Sequence, residues 1–437
     1  MRYNISIHMA PEMPKLGKGT ECIKLLLSQA SKDMHEPLVP MLFPVLGAHI
    51  SGSEFQYPDL TWKEPTGMMA HLVADSGCNK GQLTYLVEAI CRDFRLHDEA
   101  EMRKLVEWQR QVKTKGASKD KPARPDVAFW FPPSDTTNPA FIQNAMALEL
   151  MGSRTQYFNL PEVEMADKLC GGHRQVSQMI RNIYDKARAG ALRATADGVT
   201  GNPILRACLT ISSTPISARA FYKHELFNGT FGRMVFSYKA RTNRVGRIPR
   251  QGQYSDEFYR KLDEYLTRLD ICKGRFIIRP LNKLIDKLAE DMASMADLAD
   301  DDVLWDMSKR ALVSAWKAGC ILWALNNQTW TRSMGEVVEW LVYHDIWSKL
   351  RVFSDMLKGG DISTQEASKT GPKNMLDSLP DTFNEAQLEA LRESVDKPKD
   401  GANRQLRVWM SRGFITYSNQ TGLYTKTEEY LKGVNSE

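Results

Sequence analysis

The sequence predicts an α/β fold built on a parallel sheet, followed by an all-helical region and a small helix–helix–hairpin unit. Three observations carry this. Apolar segments of strand length alternate with helical segments from about residue 68 to residue 239, the order that places parallel strands side by side through helical crossovers. From about 254 to 358, apolar residues recur at i, i+3, i+4 and i+7, as in "DEFYRKLDEYLTRLDIC" and "WDMSKRALVSAWKAGCILWAL", a helical period throughout. After a Gly/Pro/Ser/Thr-rich stretch, "NEAQLEALRESV", "ANRQLRVWMSRGF" and "ITYSNQTGLYTKT" read as helix, helix and two strands around a turn, the winged-helix order.

Taken in order, residues 1–65 form a helical leader, with "CIKLLLSQASKD" and the proline-containing "LVPMLFPVLGAHISG". The α/β core spans 66–252. Its strands are "MMAHLVA" (68–74), "DVAFWF" (126–131), "TQYFNL" (155–160), "ACLTISS" (207–213) and "RMVFSYK" (233–239), with helices near 81–112, 139–150, 173–188 and 216–227. The helical region covers 253–358, a linker 359–383 and the C-terminal unit 384–437. "VKTKGASKDKPARP" (112–125) reads as a basic exposed loop.

Composition narrows the function classes. The 437 residues, 42% hydrophobic and 25% charged, suit two or three ordinary globular units. No apolar run is long enough for a membrane helix, and "MRYNISIHMAPEMPK" lacks the apolar stretch of a secretion signal. Seven scattered cysteines without a C-x-x-C pair fit a reducing cytoplasm, and eight histidines without an H-x₃₋₅-H pair argue against structural zinc. The net charge of +5 is mild, but "KARTNRVGRIPR" (239–250) concentrates Arg241, Arg244 and Arg247 with no acid. Such a run contacts DNA phosphates, releasing counterions, or is a solvated basic loop.

The stretch "HLVADSGCNKGQLTYLVEAI" (71–90) has the outline of a phosphate-binding loop: strand end, polar turn, helix. Against the pattern G-x-x-x-x-G-K-S/T, Lys80 takes the lysine slot, Ala74 and Asn79 the glycine slots, and Gly81 the hydroxyl slot. Asn79 tolerates the positive φ such loops need, and Gly77 supplies freedom nearby. Lys80 neutralises phosphate charge at a helix N-terminus, but Gly81 lacks the hydroxyl that ligates Mg²⁺. "TQYFNLPEVEM" ends a strand in acids, with Glu162 as candidate base and metal-side acid and Glu164 as a second metal-side acid. The strand "LTISS" ends in Ser213 and Thr214, placed to position a lytic water. Arg233 of "NGTFGR" stands where ring ATPases send an arginine to the neighbouring subunit's nucleotide. Arg310 and Lys317, seven apart on one helix face, are candidate lid cations for bound phosphate. Each also reads as an ordinary surface or strand-end residue.

In this order the four stretches resemble the primase-associated, helicase-type P-loop family, a domain family of unknown function in bacterial mobilisable and conjugative elements. There "APQASGKS" stands in place of Ala74–Gly81. "SDTTNPAFIQNAM" resembles its T-x-P/S-N helix start, "FNLPEVE" its acidic strand, "SSTPISARAFYK" and "NGTFGR" its G-T-P and G-L-x-S-R motifs, and "KRALVSAWKAG" its lid helix. The resemblance covers roughly residues 25–330. It implies an α/β P-loop NTPase core (AAA+ or RecA-like parallel sheet) with a helical lid and a C-terminal winged-helix domain. It further implies ATP and Mg²⁺ as cofactors, DNA as partner, a homo-oligomer that could close as a ring, and replication or mobilisation proteins nearby. Two departures weaken catalysis: the Gly-Lys-Ser core is missing, and Pro161 replaces one acid. Without these Mg²⁺ supports, transferred-phosphoryl charge is poorly stabilised.

The C-terminal unit adds Arg404, Arg407 and Arg412 on a candidate recognition helix. It holds eight basic and eight acidic residues from Asn384 onward, so docking to protein stands beside binding to DNA. The functional expectation is a helicase-like or initiator-like DNA-binding protein with weakened ATPase activity. The alternatives are a non-hydrolysing DNA-binding scaffold on the same fold and, third, a transcription-type regulator.

Overall fold

In the computed structural model, which describes residues 9–115, 122–169, 173–190, 192, 199–226, 229–241, 252–357, 374–395 and 397–435, the alternating segments form one four-stranded parallel sheet. Its strands run Gln156–Leu160, Ala207–Ser213, Met69–Ala74 and Val235–Lys239 across the sheet. Met69–Ala74 is therefore interior, which explains its complete burial and its apolar composition apart from His71. The chain leaves this strand toward Gln156–Leu160, returns to Ala207–Ser213, and then crosses Met69–Ala74 to reach Val235–Lys239. Right-handed crossovers taken in opposite directions lie on opposite faces. The topology thus reverses at the carboxyl ends of Met69–Ala74 and Ala207–Ser213, the position where open α/β sheets bind ligands.

The expected strand at 126–131 is not one. Its backbone groups are taken by side chains of the flanking helices before a ladder can form. Asp98 accepts from the N–H groups of Trp130 (2.8 Å) and Phe131 (2.7 Å). Asn144 bonds both the N–H (2.7 Å) and the carbonyl (2.9 Å) of Phe129. One sheet-like bond survives, from Tyr157 N–H to the Trp130 carbonyl at 2.8 Å. The segment covers the outer edge of Gln156–Leu160 without extending the sheet.

The opposite edge is closed by the helix Arg332–Leu357. In a strand, alternate N–H groups point outward, so Phe236 and Tyr238 face away from Met69–Ala74. Phe236 donates to Asp345 Oδ1 at 2.7 Å and Tyr238 to Ser348 Oγ at 3.0 Å. Lys349 Nζ donates to the second Asp345 oxygen at 2.8 Å, and both side chains are buried.

The leader is not peripheral. Helix Lys32–Gly47 packs on the sheet and is buried from Pro37 to Gly47. It contains Pro37, Pro40 and Pro44, which lack the N–H that a helix would give to the carbonyl four residues back. Lys239 uses the gap left by Pro37: its Nζ reaches the Asp33 carbonyl at 3.1 Å and the Asp33 carboxylate at 2.8 Å. A second sheet joins Ser53–Gln56 antiparallel to Trp62–Lys63 and parallel to Gly274–Phe276. Through it the leader and the helical region share one apolar core running from Cys22 to Met356.

The C-terminal unit has its own core around Phe383, Leu406, Trp409 and Ile415, which Leu298 of the helix Arg279–Ala299 joins. Helices Glu385–Ser394 and Ala402–Ser411 precede the hairpin Ile415–Ser418/Leu423–Lys426, and Thr382–Phe383 adds a third strand to it. No helix among the described residues is long and apolar enough to cross a membrane.

The edge closure gives a stability test. Asp345→Ala leaves the buried Lys349 ammonium and the Phe236 N–H without this partner, so we expect a loss of about 3–5 kcal/mol. Ser348→Ala should lose about 1–3 kcal/mol. Denaturant unfolding with an unchanged m-value checks both.

Candidate functional site: the loop at the sheet reversal

The turn from Met69–Ala74 into the helix Gly81–Ile90 lies at the topological reversal. Gly77 has φ +79° and Asn79 φ +59°, so the two residues expected to take left-handed backbone both do. A Cβ at Gly77 or Gly81 would meet nothing within 4 Å. The inner side of the turn belongs to Lys80, whose Nζ folds back to the Ala74 carbonyl at 2.9 Å. An ammonium held on the last carbonyl of the strand is directed into the loop it follows. Asp75 sits at the loop's start, 3.7 Å from the guanidinium of Arg241.

Beneath the loop lies a buried polar chain. Ser213 Oγ donates to the Thr214 carbonyl at 3.1 Å. His71 Nε2–H therefore donates to Ser213 Oγ (2.7 Å), and Nδ1 accepts from the Tyr222 hydroxyl (3.1 Å). Burial, helped by the nearby Lys80 charge, pushes the His71 imidazole down to about 3, so it is neutral at physiological pH. Ser213, expected to orient water, is fully buried and bonded to His71. Thr214 caps the helix Pro215–Tyr222, accepting from Ser217 N–H at 3.3 Å.

Glu162 and Glu164 follow Gln156–Leu160 and are exposed on the same edge of the sheet as the loop. They stand two strands from it, roughly 10 Å sideways. Glu164 opens the short helix Glu164–Lys168. Among the described residues no cluster of three His, Cys, Asp or Glu could hold a metal ion. A phosphate at this turn would have Lys80 as its cation, while Gly81 has no side-chain oxygen to offer Mg²⁺.

The remaining nucleotide-site candidates gather elsewhere. Lys317 donates to the Thr66 carbonyl at 2.9 Å, before the start of Met69–Ala74, and lies over the Tyr184 ring at 4.6 Å. Arg310 and Arg233 each stand 5.6 Å from the same ring. Arg233 pairs with Asp185 at 2.6 Å and bonds the Gly229 carbonyl at 2.8 Å. All three lie at the amino edge of the sheet, a strand length of roughly 20 Å from the loop. Within one chain Arg310 and Lys317 therefore do not reach a phosphate at Lys80. The helix Asp302–Leu325 that carries them is a core helix, with its face from Ala315 to Leu322 buried, rather than a lid. Burial and the neighbouring Lys186 lower the Lys317 ammonium to about 7.

Beside Arg241, a second cation approaches the loop that no motif points to. Tyr238 pairs in register with Val73, next to the loop, and Arg351 lies 5.9 Å over its ring. Arg351 belongs to a helix 270 residues beyond the loop in sequence, and no spacing rule links them. His71 was hidden for another reason: one histidine in an apolar strand reads as core.

Of the candidate DNA contacts, Arg241 is exposed beside the loop, whereas Arg244 and Arg247 lie outside the described residues. Arg404, Arg407 and Arg412 are exposed on the helix Ala402–Ser411 or just after it. Arg412 pairs with Asp297 at 2.7 Å and Arg404 stands 3.9 Å from Asp302. No protein-family model matches the chain, and no curated protein matches it.

Two substitutions test this site. Asn79→Gly should leave stability within about 0.5 kcal/mol, whereas Asn79→Val, a branched residue forced to φ +59°, should lose about 1–2 kcal/mol. A histidine whose folded value is depressed contributes stability above the unfolded value of 6.5, lost as pH falls toward about 3. His71→Gln should therefore flatten the decline of stability below pH 6.5 by up to about 1 kcal/mol per pH unit. Buried His49, also lowered to about 3, keeps some slope in the variant. Unfolding curves between neutral and acid pH decide it.

Proposed function

We propose that this chain is a DNA-binding protein on a P-loop NTPase-type core of the AAA+ or RecA-like kind, helicase-like or initiator-like, with slow ATP turnover. Its setting would be the replication or mobilisation of a bacterial mobile element, beside other proteins of that process. The observation that carries the reading is the loop at the sheet reversal, with Gly77 and Asn79 in left-handed backbone and Lys80 turned inward. A phosphate entering there replaces one carbonyl partner of Lys80 by a charge-assisted contact and meets the N–H groups opening the helix Gly81–Ile90. Bound with ATP, Mg²⁺ would supply Lewis-acid stabilisation of phosphoryl charge, with Glu162 and Glu164 the acids available on that edge. The order helix, helix, hairpin, with Thr382–Phe383 as a third strand, supports a winged-helix unit that meets DNA. Arg233 would act across a subunit boundary in a homo-oligomer, after leaving Asp185.

A second reading, a non-hydrolysing DNA-binding scaffold, is favoured by two observations. Gly81 gives no hydroxyl to Mg²⁺, and Ser213 is committed to His71.

ATP binding and turnover of the full chain, with and without DNA and beside Lys80→Ala, test both readings. DNA-stimulated turnover abolished in Lys80→Ala supports the ATPase. DNA binding without turnover, unchanged in Lys80→Ala, supports the scaffold. Asn79→Gly combined with Gly81→Ser should raise turnover at least about tenfold if the missing hydroxyl is the main defect.

A further inference from the structure

The candidate recognition helix already has anionic partners. The turn joining Arg279–Ala299 to Asp302–Leu325 carries Asp297, Asp300, Asp301 and Asp302. It lies against Ala402–Ser411 across a cavity of about 160 Å³. The backbones are held together independently of the exposed charges. The Trp409 indole N–H donates to the Asp297 carbonyl at 3.1 Å, and Met375 N–H to the Leu298 carbonyl at 3.1 Å. Arg392, 3% exposed and 2.8 Å from Asp300, belongs to this fixed anchor. The Arg412–Asp297 and Arg404–Asp302 pairs differ: their side chains are 42%/28% and 73%/89% exposed. Both arginines can leave their acids by side-chain rotation alone.

We propose that Asp297 and Asp302 act as built-in competitors for the DNA phosphates that Arg412 and Arg404 would bind, and so set the affinity of this helix for DNA. The inference rests on the DNA-binding reading above. A carboxylate matches a backbone phosphate in its single negative charge and, like it, accepts from a guanidinium; Arg412 makes one such bond to Asp297 and Arg404 an ion pair with Asp302. Fixed by the anchor, each carboxylate competes at the high local concentration of a tethered ligand. DNA wins where several phosphates act together, and Arg407, exposed on the same helix, supplies a further contact.

The test is fluorescence anisotropy of a labelled DNA duplex with the full chain at low salt. Asp297→Asn with Asp302→Asn, near-isosteric changes that leave the anchor intact, should tighten binding about three- to tenfold. The gain should vanish as salt is raised. In an Arg412→Ala, Arg404→Ala background the same aspartate changes should alter affinity less than about 1.5-fold. A gain that persists without the arginines is general charge repulsion and overturns the proposal, as does no gain in a wild-type chain that binds DNA. Absence of DNA binding by every variant overturns the DNA reading itself, and this inference with it.

Discussion

The whole arrangement depends on Asp345. A four-stranded parallel sheet has two edges, and an edge strand leaves every second N–H without a partner. Here one buried carboxylate takes the Phe236 N–H with one oxygen and the Lys349 ammonium with the other. The lysine lies within 6 Å of the Phe231 and Phe236 rings. One helical turn on, Ser348 takes the Tyr238 N–H. A helix advances about 4.5 Å over three residues and a strand about 6.6 Å over two, a difference within the reach of the Asp345 and Ser348 side chains. Arg351, one turn beyond Ser348, lies over Tyr238, the strand residue in register with Val73 just before the loop. The helix that terminates the sheet thus also carries a cation toward the carboxyl edge where the loop lies.

The loop is held from the other side by the proline-rich helix. Ser31, before Lys32–Gly47, exchanges bonds with Gln82 in the first turn after the loop: its N–H donates to Oε1 at 3.0 Å, and Gln82 Nε2 donates to Oγ at 2.9 Å. Lys239, paired in register with Ala74, grips Asp33 in the same turn of that helix. Burial raises the Asp33 carboxyl, but hydrogen bonds from Lys239 and Ser31 outweigh it and hold the group below the ordinary carboxylate range. Both ends of the loop are thereby tied to one rigid element. The turn between them is left open to solvent.

Much of this was legible in the sequence because it rests on local pattern. Four of five strands and the flanking helices follow from apolar runs and periodicity, and Asn79 and Gly77 follow from backbone preference. The failures have physical causes. "DVAFWF" has strand composition, yet Asp98 and Asn144, distant in sequence, outbid the ladder for its backbone. Residues 1–65 read as a leader because period does not reveal what a helix packs against. Arg310 and Lys317 share a helix face as expected, but which edge of the sheet that face meets is a tertiary fact. Arg351 and His71 carry no motif at all.

Charge at the loop bears on the proposed binding of phosphate. As folded, Lys80 makes one charge-assisted bond to a neutral carbonyl, whereas a phosphate would pair it with a second ionised group. Exchanging the Ala74 carbonyl for a phosphate would add the attraction between two opposite charges. Asp75 opposes it as a like charge at the loop's entrance, and Arg241 at 3.7 Å offsets it only partly, its side chain being 73% exposed. The helix N-terminus adds about 0.3–1 kcal/mol for an anion. In the proposed site, Lys80 and the backbone of the helix N-terminus would be the groups that favour a phosphate. Hydrolysis in the proposed site would need more, because Gly81 has no hydroxyl and Ser213 is bonded to His71, whereas acceleration requires contacts stronger in the transition state than in a bound nucleotide. Lys80 and the helix N-terminus would hold ground state and transition state alike, which is binding without acceleration.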